Sequence, residues 1–250
     1  MSYQPGLLTQ TTYYRLRQID NIGHDTAYTN VVTITVPPWS CGNILLDARD
    51  GKTYPTVQIG GQCWMGKNLN TGTKISSTAE QINNSIIEKY CYDNADANCN
   101  TYGGLYQWAE MVHYLNGATN NTTWVPAPTG NVIGICPTGW HLPADAEWTT
   151  LTSFLGGEAI AGGKMKETST THWGPPNTGA NNSSGFTALP GGLTGTGGAF
   201  NYINYWGYFW SASVFNSNNS WTRSLYADGI NVDRSYYYKS SGFSVHCIKN

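Results

Sequence analysis

The sequence predicts an α+β fold with small antiparallel sheets, two or three helices and long loops. Short runs rich in aromatic and β-branched residues, such as residues 56–65 and 207–213, are separated by glycine- and asparagine-rich segments, a pattern typical of short strands. Apolar residues recur at helical spacing elsewhere. Only 11% of the residues are charged and 13% are aromatic, so the chain has ample surface to bury in a core.

The first 36 residues form a segment of their own. Residues 13–19 alternate polar and apolar side chains, residues 20–23 are polar, and residues 31–36 are a β-branched run. This pattern predicts a hairpin. The segment resembles the last two strands of immunoglobulin-like or fibronectin type III modules of bacterial surface proteins. Such modules need about 100 residues, so we expect residues 1–38 to be a partial module ending in a Pro37-Pro38 linker.

Residues 39–250 are predicted to form the main domain. Asp50-Gly51 marks a hairpin turn, and residues 56–65 continue the strand pattern. Helices are predicted at about 78–89, along an apolar stripe, and after Pro143, where the third helix ends at Gly156-Gly157. The stripe of the second helix consists of Leu105, Trp108, Val112 and Leu115.

The C-terminal part is predicted to be a long loop followed by short strands. Residues 168–201 are mostly Gly, Asn, Thr, Ser and Pro, with residues 186–192 as an ordered anchor inside this loop. The predicted strands are residues 207–213, 220–225, 230–234 and 242–248.

The six cysteines predict disulfide bonds, because their number is even and no CxxC spacing indicates zinc. Fifteen pairings are possible in principle; buried free thiols are the alternative. Pairing of sequence neighbours is favoured. The predicted pairs are Cys41–Cys63, Cys91–Cys99 and Cys136–Cys247. Disulfides persist in oxidising compartments, so we expect a secreted or cell-surface protein, although residues 1–20 lack the pattern of a signal peptide.

Composition and motifs argue against several function classes. A net charge of −2 disfavours nucleic-acid partners, and no apolar run approaches the roughly 20 residues of a membrane span. We find no nucleophile, metal or phosphate motif, so no catalytic residue, metal or cofactor is expected. His141 is interpreted as a packed structural residue. Residues 93–98 alternate potential Ca²⁺ ligands, but Asx residues are also good turn formers, and a turn is favoured.

The aromatic residues divide into predicted core and predicted surface. Five tryptophans lie on apolar patterns and are assigned to the core: Trp64, Trp108, Trp140, Trp148 and Trp210. At least one of Tyr236, Tyr237 and Tyr238 should be exposed, because alternate side chains of an extended segment face opposite ways.

Many segments in order resemble one known family, the Fibrobacter succinogenes major paralogous domain. The resemblance covers about residues 43–250, with His246 standing where the family usually carries Arg. It implies a C-type-lectin-like fold, related to the formylglycine-generating enzymes, in secreted and surface proteins of bacteria. The segments that carry the resemblance are residues 50–54, 61–65 with 68–69, 102–108, 136–143, 147–148, 186–192, 209–211 and 242–247.

The C-terminal strands also resemble those of variable proteins of diversity-generating retroelements. Residues 201–239 contain six Asn, seven Tyr and six Ser, a composition similar to that of antibody paratopes. We therefore predict a ligand-binding surface in this stretch. Its candidate residues are Tyr205, Asn218, Asn219, Tyr226, Asp228, Asn231, Asp233, Tyr236 and Tyr237.

These observations predict a non-enzymatic binding module that recognises a protein or glycan on a cell or phage/host surface. Two alternatives remain open. The domain would be a structural spacer of a cell-surface protein if it has no ligand. An enzyme of the formylglycine-generating type would need a reactive thiol at Cys247, which the predicted pairing places in a disulfide.

Overall fold

The computed structural model describes residues 12–19, 26–34 and 39–250. The chain divides into two compact units, Met1–Ser40 and Cys41–Asn250. Within the described residues, no helix is long and apolar enough to cross a membrane.

The first unit contains two nested antiparallel strand pairs. The inner pair joins Arg17–Ile19 to Thr26–Tyr28, and the outer pair joins Thr12–Tyr14 to Val32–Ile34. The predicted hairpin is therefore present, but each of its strands is interrupted. The predicted turn at 20–23 and the Pro37-Pro38 linker lie outside the described residues. The strands are β1 (Thr12–Tyr14), β2 (Arg17–Ile19), β3 (Thr26–Tyr28) and β4 (Val32–Ile34).

The second unit holds short strands and, within the described residues, four α-helices. The helices are α1 (Asp96–Tyr102), α2 (Trp108–Met111), α3 (Asp145–Phe154) and α4 (Glu158–Met165). The strands are β5 (Leu45–Leu46), β6 (Thr53–Tyr54), β7 (Thr56–Ile59), β8 (Gln62–Met65), β9 (Thr73–Lys74), β10 (Glu88–Lys89), β11 (Trp140–His141), β12 (Leu193–Thr194), β13 (Phe200–Asn201), β14 (Trp206–Val214), β15 (Asn219–Tyr226), β16 (Asp233–Tyr238) and β17 (Ile248–Lys249).

Two sheets organise this unit. One contains the strands in the order β11-β17-β8-β7, and the other is the antiparallel sheet β14-β15-β16. The remaining strands form two-stranded sheets, of which β9–β10 is parallel. Small, mainly antiparallel sheets with few helices confirm the predicted α+β class. The hairpin predicted at Asp50-Gly51 is confirmed by β5–β6. The predicted strand pattern of residues 56–65 is confirmed as two strands, β7 and β8, which pair as a hairpin.

The predicted helix at residues 78–89 is wrong. This segment is irregular and ends in strand β10. The Glu88 carboxylate accepts hydrogen bonds from the Ile82 backbone N–H and the Asn84 amide, and Ser85 has a φ of 67°. Polar side chains that bond nearby backbone groups offer the chain an alternative to the helix, and here that alternative prevails.

The two other helix predictions differ in outcome. The third helix is confirmed as α3, which buries Trp148 and Leu151. The second is shortened to α2, because His113 and Tyr114 adopt φ values of 54° and 52°, a left-handed conformation that ends a helix. Helices α1 and α4 were not predicted; α1 begins within the segment interpreted as a turn.

Two of the predicted C-terminal strands match β14 and β15, and two differ. Residues 230–232 are not in the sheet, because their backbone binds α4 instead. Ile230 accepts a backbone hydrogen bond from Gly163, and Val232 donates one to Glu158. Strand β16 therefore begins only at Asp233. Residues 242–244 form single bridges rather than a strand, and only Ile248–Lys249 joins a sheet.

The five tryptophans predicted to be core residues are all buried. Trp108, Trp140 and Trp210 belong to one apolar cluster, and Trp64 and Trp148 belong to another. The predicted loop anchor is also confirmed, since Phe186 and Ala188 have no exposed surface. The long loop of residues 168–201 therefore packs on the core through these apolar side chains.

All three predicted disulfides are present: Cys41–Cys63, Cys91–Cys99 and Cys136–Cys247. The last bond joins cysteines 111 residues apart. Cys247 also accepts a backbone hydrogen bond from Met65 of β8. The C-terminal tail is thus attached to two distant parts of the second unit.

Candidate ligand-binding surface

Most of the predicted ligand-binding residues lie on the sheet β14-β15-β16, where their side chains project from its two opposite faces. Trp221 of β15 lies opposite Tyr236 of β16, and Ser224 lies opposite Asp233. Because the two pairs are separated by an odd number of residues along each strand, they project from opposite faces. The residues predicted to form one recognition face are therefore divided between the two faces and the two ends of the sheet.

The structure sorts the nine candidates into separate groups. Tyr237 is half-buried and packs on Tyr208 and Phe243. Tyr236 is 48% exposed on the opposite face; its exposure and that of Tyr238 confirm that Tyr236–Tyr238 cannot all be buried. Asn218 and Asn219 lie at the start of β15. The remaining candidates gather around the other end of the sheet: Tyr205, Tyr226, Asp228, Asn231 and Asp233.

Two residues of this last group, Tyr205 and Asp228, line a cleft of about 380 Å³, here called the aromatic cleft. Its lining consists of Pro175, Tyr202, Tyr205, Trp206, Ala227 and Asp228. Tyr202 and Tyr205 are each more than half exposed. Tyr202 and Trp206 were not among the predicted residues; the aromatic spacing of residues 202–206 is the sequence signal that points to them.

Tyr226 does not line the cleft itself but packs against Trp206, which does. The two rings meet edge to face with centroids 4.0 Å apart, an arrangement that aromatic quadrupoles favour. The Tyr226 hydroxyl donates to the Asp233 carboxylate, which also accepts from the Asn231 amide. Burial, followed by this carboxylate neighbour, raises the pKa of Tyr226 above its usual value, so the phenol stays protonated and continues to donate.

The buried Lys166 stabilises the backbone that surrounds the cleft. The Lys166 ammonium donates to the carbonyl oxygens of Thr178, Tyr226 and Gly229 at 2.8–3.0 Å. Burial lowers the pKa of Lys166 to about 8, which leaves it mostly charged at neutral pH. One cation thus binds Thr178 and the Tyr226–Gly229 turn together, and no local sequence pattern identifies it.

The opposite face of the sheet carries a second aromatic group, here called the arginine patch. Tyr236 stacks on Phe215 with ring centroids 3.9 Å apart, and the Arg234 guanidinium lies 3.6 Å from the centre of the Trp221 ring. Arg234 also makes a two-pronged ion pair with Asp145 of α3. Phe215, Trp221 and Arg234 were not predicted as site residues.

Comparison with protein-family models matches residues 57–249 to the Fibrobacter succinogenes major domain. The chain belongs to this family. Comparisons with curated proteins and with solved structures give no significant match.

The Fibrobacter succinogenes major domain of this chain contains two of the three disulfides entirely. Cys41 lies before the matched residues, so the Cys41–Cys63 bond connects the matched region to the segment that precedes it. All six cysteines are bonded. The bond to Cys136 means that Cys247 is not a free thiol in this structure.

Two histidines of the domain are packed among hydrogen-bonding partners. His141 lies between Glu147, at 2.9 Å, and Asn250, at 2.7 Å. His246 is fully buried, stacks on Phe186 and contacts the Met65 carbonyl. Burial lowers the pKa of His246 to about 3, so its imidazole is neutral across the physiological range. These contacts agree with a structural role for His141.

The oxygen-rich segment 93–98 uses its side chains to shape the domain. Asn94 accepts a hydrogen bond from the Ser77 backbone, Asp96 pairs with Lys74 at 2.9 Å, and Asn98 donates to the Tyr92 carbonyl. In the part of the chain that the structure describes, no three His, Cys, Asp or Glu side chains are close enough together to hold a metal ion.

Proposed function

We propose that this domain is a non-enzymatic binding module of an exported protein, and that the aromatic cleft is its recognition site. The observation that carries the proposal is the grouping of Tyr202, Tyr205 and Trp206 around one cleft beside Asp228. Tyr226 packs on the Trp206 ring and supports it. Exposed aromatic clusters mark interaction sites, and tyrosine provides large contact area at low entropic cost.

The cleft is organised before any ligand arrives, which favours binding. Lys166 holds the Tyr226 and Gly229 carbonyls, and Tyr226 is held by Asp233. A preorganised site loses less entropy on binding than a flexible one. The aromatic faces and the neighbouring carboxylates suit a protein or glycan ligand on a cell or phage/host surface.

A C-type-lectin-like fold is part of the proposal. It is supported by the membership of the Fibrobacter succinogenes major domain family and by the pairing of the last strand, β17, with β8 near the start of the domain. Long excursions between such paired strands are where binding loops are built. The three disulfides fit an extracellular setting, which supports secretion or surface display.

The composition of residues 201–239 also favours diversification by a retroelement, as in the variable proteins that this segment resembles. The exposed candidates include Tyr205 and Asn218, which are residue types typical of that process. Sequencing of the surrounding DNA tests this idea. A near-identical template copy differing at adenines, next to a reverse transcriptase, supports it; its absence removes it.

The binding proposal is tested by screening the purified chain against a glycan array and a panel of surface proteins, then repeating any positive binding with Tyr205→Ala. Tyr205 is 54% exposed, so its loss should reduce binding with little change in melting temperature. Tyr13→Ala, at a tyrosine 69% exposed in the first unit, is the matched control. A folded protein without any ligand would favour the spacer function instead.

A further inference from the structure

A second cleft lies at the other end of the same sheet, here called the amide pocket. Its volume is about 670 Å³, and its lining includes Glu80, Asn83, Asn121, Asn218, Tyr238 and Ser240. Asn218 precedes β15 and Tyr238 ends β16, whereas the aromatic cleft adjoins Tyr226 at the far end of β15. The seven residue steps from Asn219 to Tyr226, at about 3.4 Å each, separate the two sites by roughly 24 Å.

The polar groups of the amide pocket are available to a ligand. Among the described residues, the side-chain amides of Asn83 and Asn218 and the hydroxyls of Tyr238 and Ser240 make no hydrogen bond within the protein. The Asn121 amide nitrogen is also available, since only its oxygen is engaged, by the Thr119 hydroxyl at 3.2 Å. Amides and hydroxyls both donate and accept hydrogen bonds, so together they match a ligand that presents many hydroxyl groups.

The walls of the amide pocket are held in place by the fully buried Lys239. Its ammonium donates to the Thr122 and Ser217 carbonyls at 3.1 and 3.0 Å, which belong to the two loops on either side. The same ammonium lies 4.5 Å from the centre of the Trp108 ring. The backbone of Lys239 bonds Asn218 and Trp108. Lys239 therefore binds two loops that are more than 90 residues apart in sequence.

The charges of the residues that line the amide pocket favour a neutral ligand over an anionic one. Glu80 is the only charged side chain among the lining residues, and Lys239 is directed at carbonyl oxygens behind the wall. An anionic ligand would meet no cation in the pocket and would face the Glu80 carboxylate. Tyr238 is 59% exposed and offers an apolar ring face to the C–H face of a sugar. The volume falls within the usual range of small-ligand sites.

We propose that the amide pocket binds a neutral oligosaccharide without a metal ion, separately from the aromatic cleft. The pocket supplies amide and hydroxyl groups for sugar hydroxyls and the Tyr238 ring for stacking. Because the two sites lie at opposite ends of the sheet, occupation of one leaves the other accessible.

The test is titration of the purified full chain with maltotriose, cellotriose and diacetylchitobiose, followed by isotope-edited NMR, with digalacturonate as the acidic comparison. One of the neutral sugars should shift resonances of Asn218 and Tyr238, equally with and without EDTA. Asn218→Ala and Tyr238→Ala should each weaken binding about tenfold, which corresponds to the loss of one to two hydrogen bonds or a stacking contact.

The control variants separate this proposal from the aromatic cleft. Tyr205→Ala should leave binding of the neutral sugar unchanged. Asn83→Ala provides a third pocket variant, at an exposed side chain, and should weaken binding. The proposal is overturned if none of the three neutral sugars binds at millimolar concentration, or if binding is insensitive to the pocket variants. Loss of sugar binding in Tyr205→Ala alone would assign the sugar to the aromatic cleft and overturn the second site.

Discussion

Trp206 and Tyr226 face each other directly across the β14–β15 pair, with their rings edge to face and centroids 4.0 Å apart. This contact couples the sheet to the wall of the aromatic cleft. Because Tyr226 is also bonded to Asp233, its ring and its hydroxyl have separable roles, one in packing and the other in orienting acidic and amide groups at the cleft edge.

Replacing Tyr226 by Phe should separate those roles. Tyr226→Phe keeps the ring contact with Trp206 and removes one hydrogen bond, so we expect a loss of about 1 kcal/mol in the free energy of unfolding. Tyr226→Ala also removes the ring and should cost more than Tyr226→Phe. Urea unfolding of both variants measures the difference. Equal destabilisation by the two substitutions would contradict a packing role for the ring.

Tyr205 and Tyr236 should not contribute to the same small ligand site. Tyr205 borders the aromatic cleft, whereas Tyr236 stacks on Phe215 in the arginine patch on the other face. For any single ligand, we expect Tyr205→Ala or Tyr236→Ala to reduce affinity, but not both. Affinity measurements on the two single variants provide the check, with melting temperatures as the control for folding. Comparable losses in both would require a ligand that wraps around the edge strand.

The long-range disulfide should stabilise the domain more than the short one. In the chain-entropy model, the bond that spans 111 residues contributes about 5 kcal/mol and the bond that spans 8 residues about 2.5 kcal/mol. The Cys136→Ser/Cys247→Ser double variant should therefore unfold at lower urea concentration than Cys91→Ser/Cys99→Ser. A larger loss in the second variant would show that local strain or packing outweighs loop entropy.

Glu110 should make the stability of the domain depend on pH. Burial, together with the neighbouring Glu88, raises the pKa of Glu110 to about 7, against 4.5 for the ordinary carboxyl. Between these values the folded state binds more protons than the unfolded state, so this contribution to stability is lost as pH rises from about 4.5 to 7. The lost contribution is on the order of 3 kcal/mol.

Glu110→Gln tests this pH dependence, because the amide oxygen can still accept the Glu88 backbone hydrogen bond now made by the carboxylate. The variant should gain stability relative to the parent at pH 8 and show little gain at pH 4.5. Urea midpoints at the two pH values measure this difference. An equal effect at both pH values would show that Glu110 does not titrate in this window.

Local sequence patterns accounted for much of the fold and less of the candidate site. The Asp50-Gly51 turn and helix α3 each follow from residues close in sequence. The segment 78–89 does not form the helix that its pattern predicts, because the Ile82 backbone N–H donates to the Glu88 side chain in place of a helical hydrogen bond. In the site, the aromatic composition pointed to Tyr205 and Tyr226. Tyr202 and Trp206 belong to the same aromatic run but were recognised as site residues only once the cleft was known.

The sequence by itself determined the tyrosine-rich character of residues 201–239, and residue type and spacing were enough to predict the cysteine pairing and the buried tryptophans. Only the tertiary structure decided which tyrosines share a surface, because strand register sends Tyr226 and Tyr236 to opposite faces. The same holds for Lys166 and Lys239. Each binds carbonyl groups from segments far apart in the chain, and such contacts exist only after those segments have been brought together by folding.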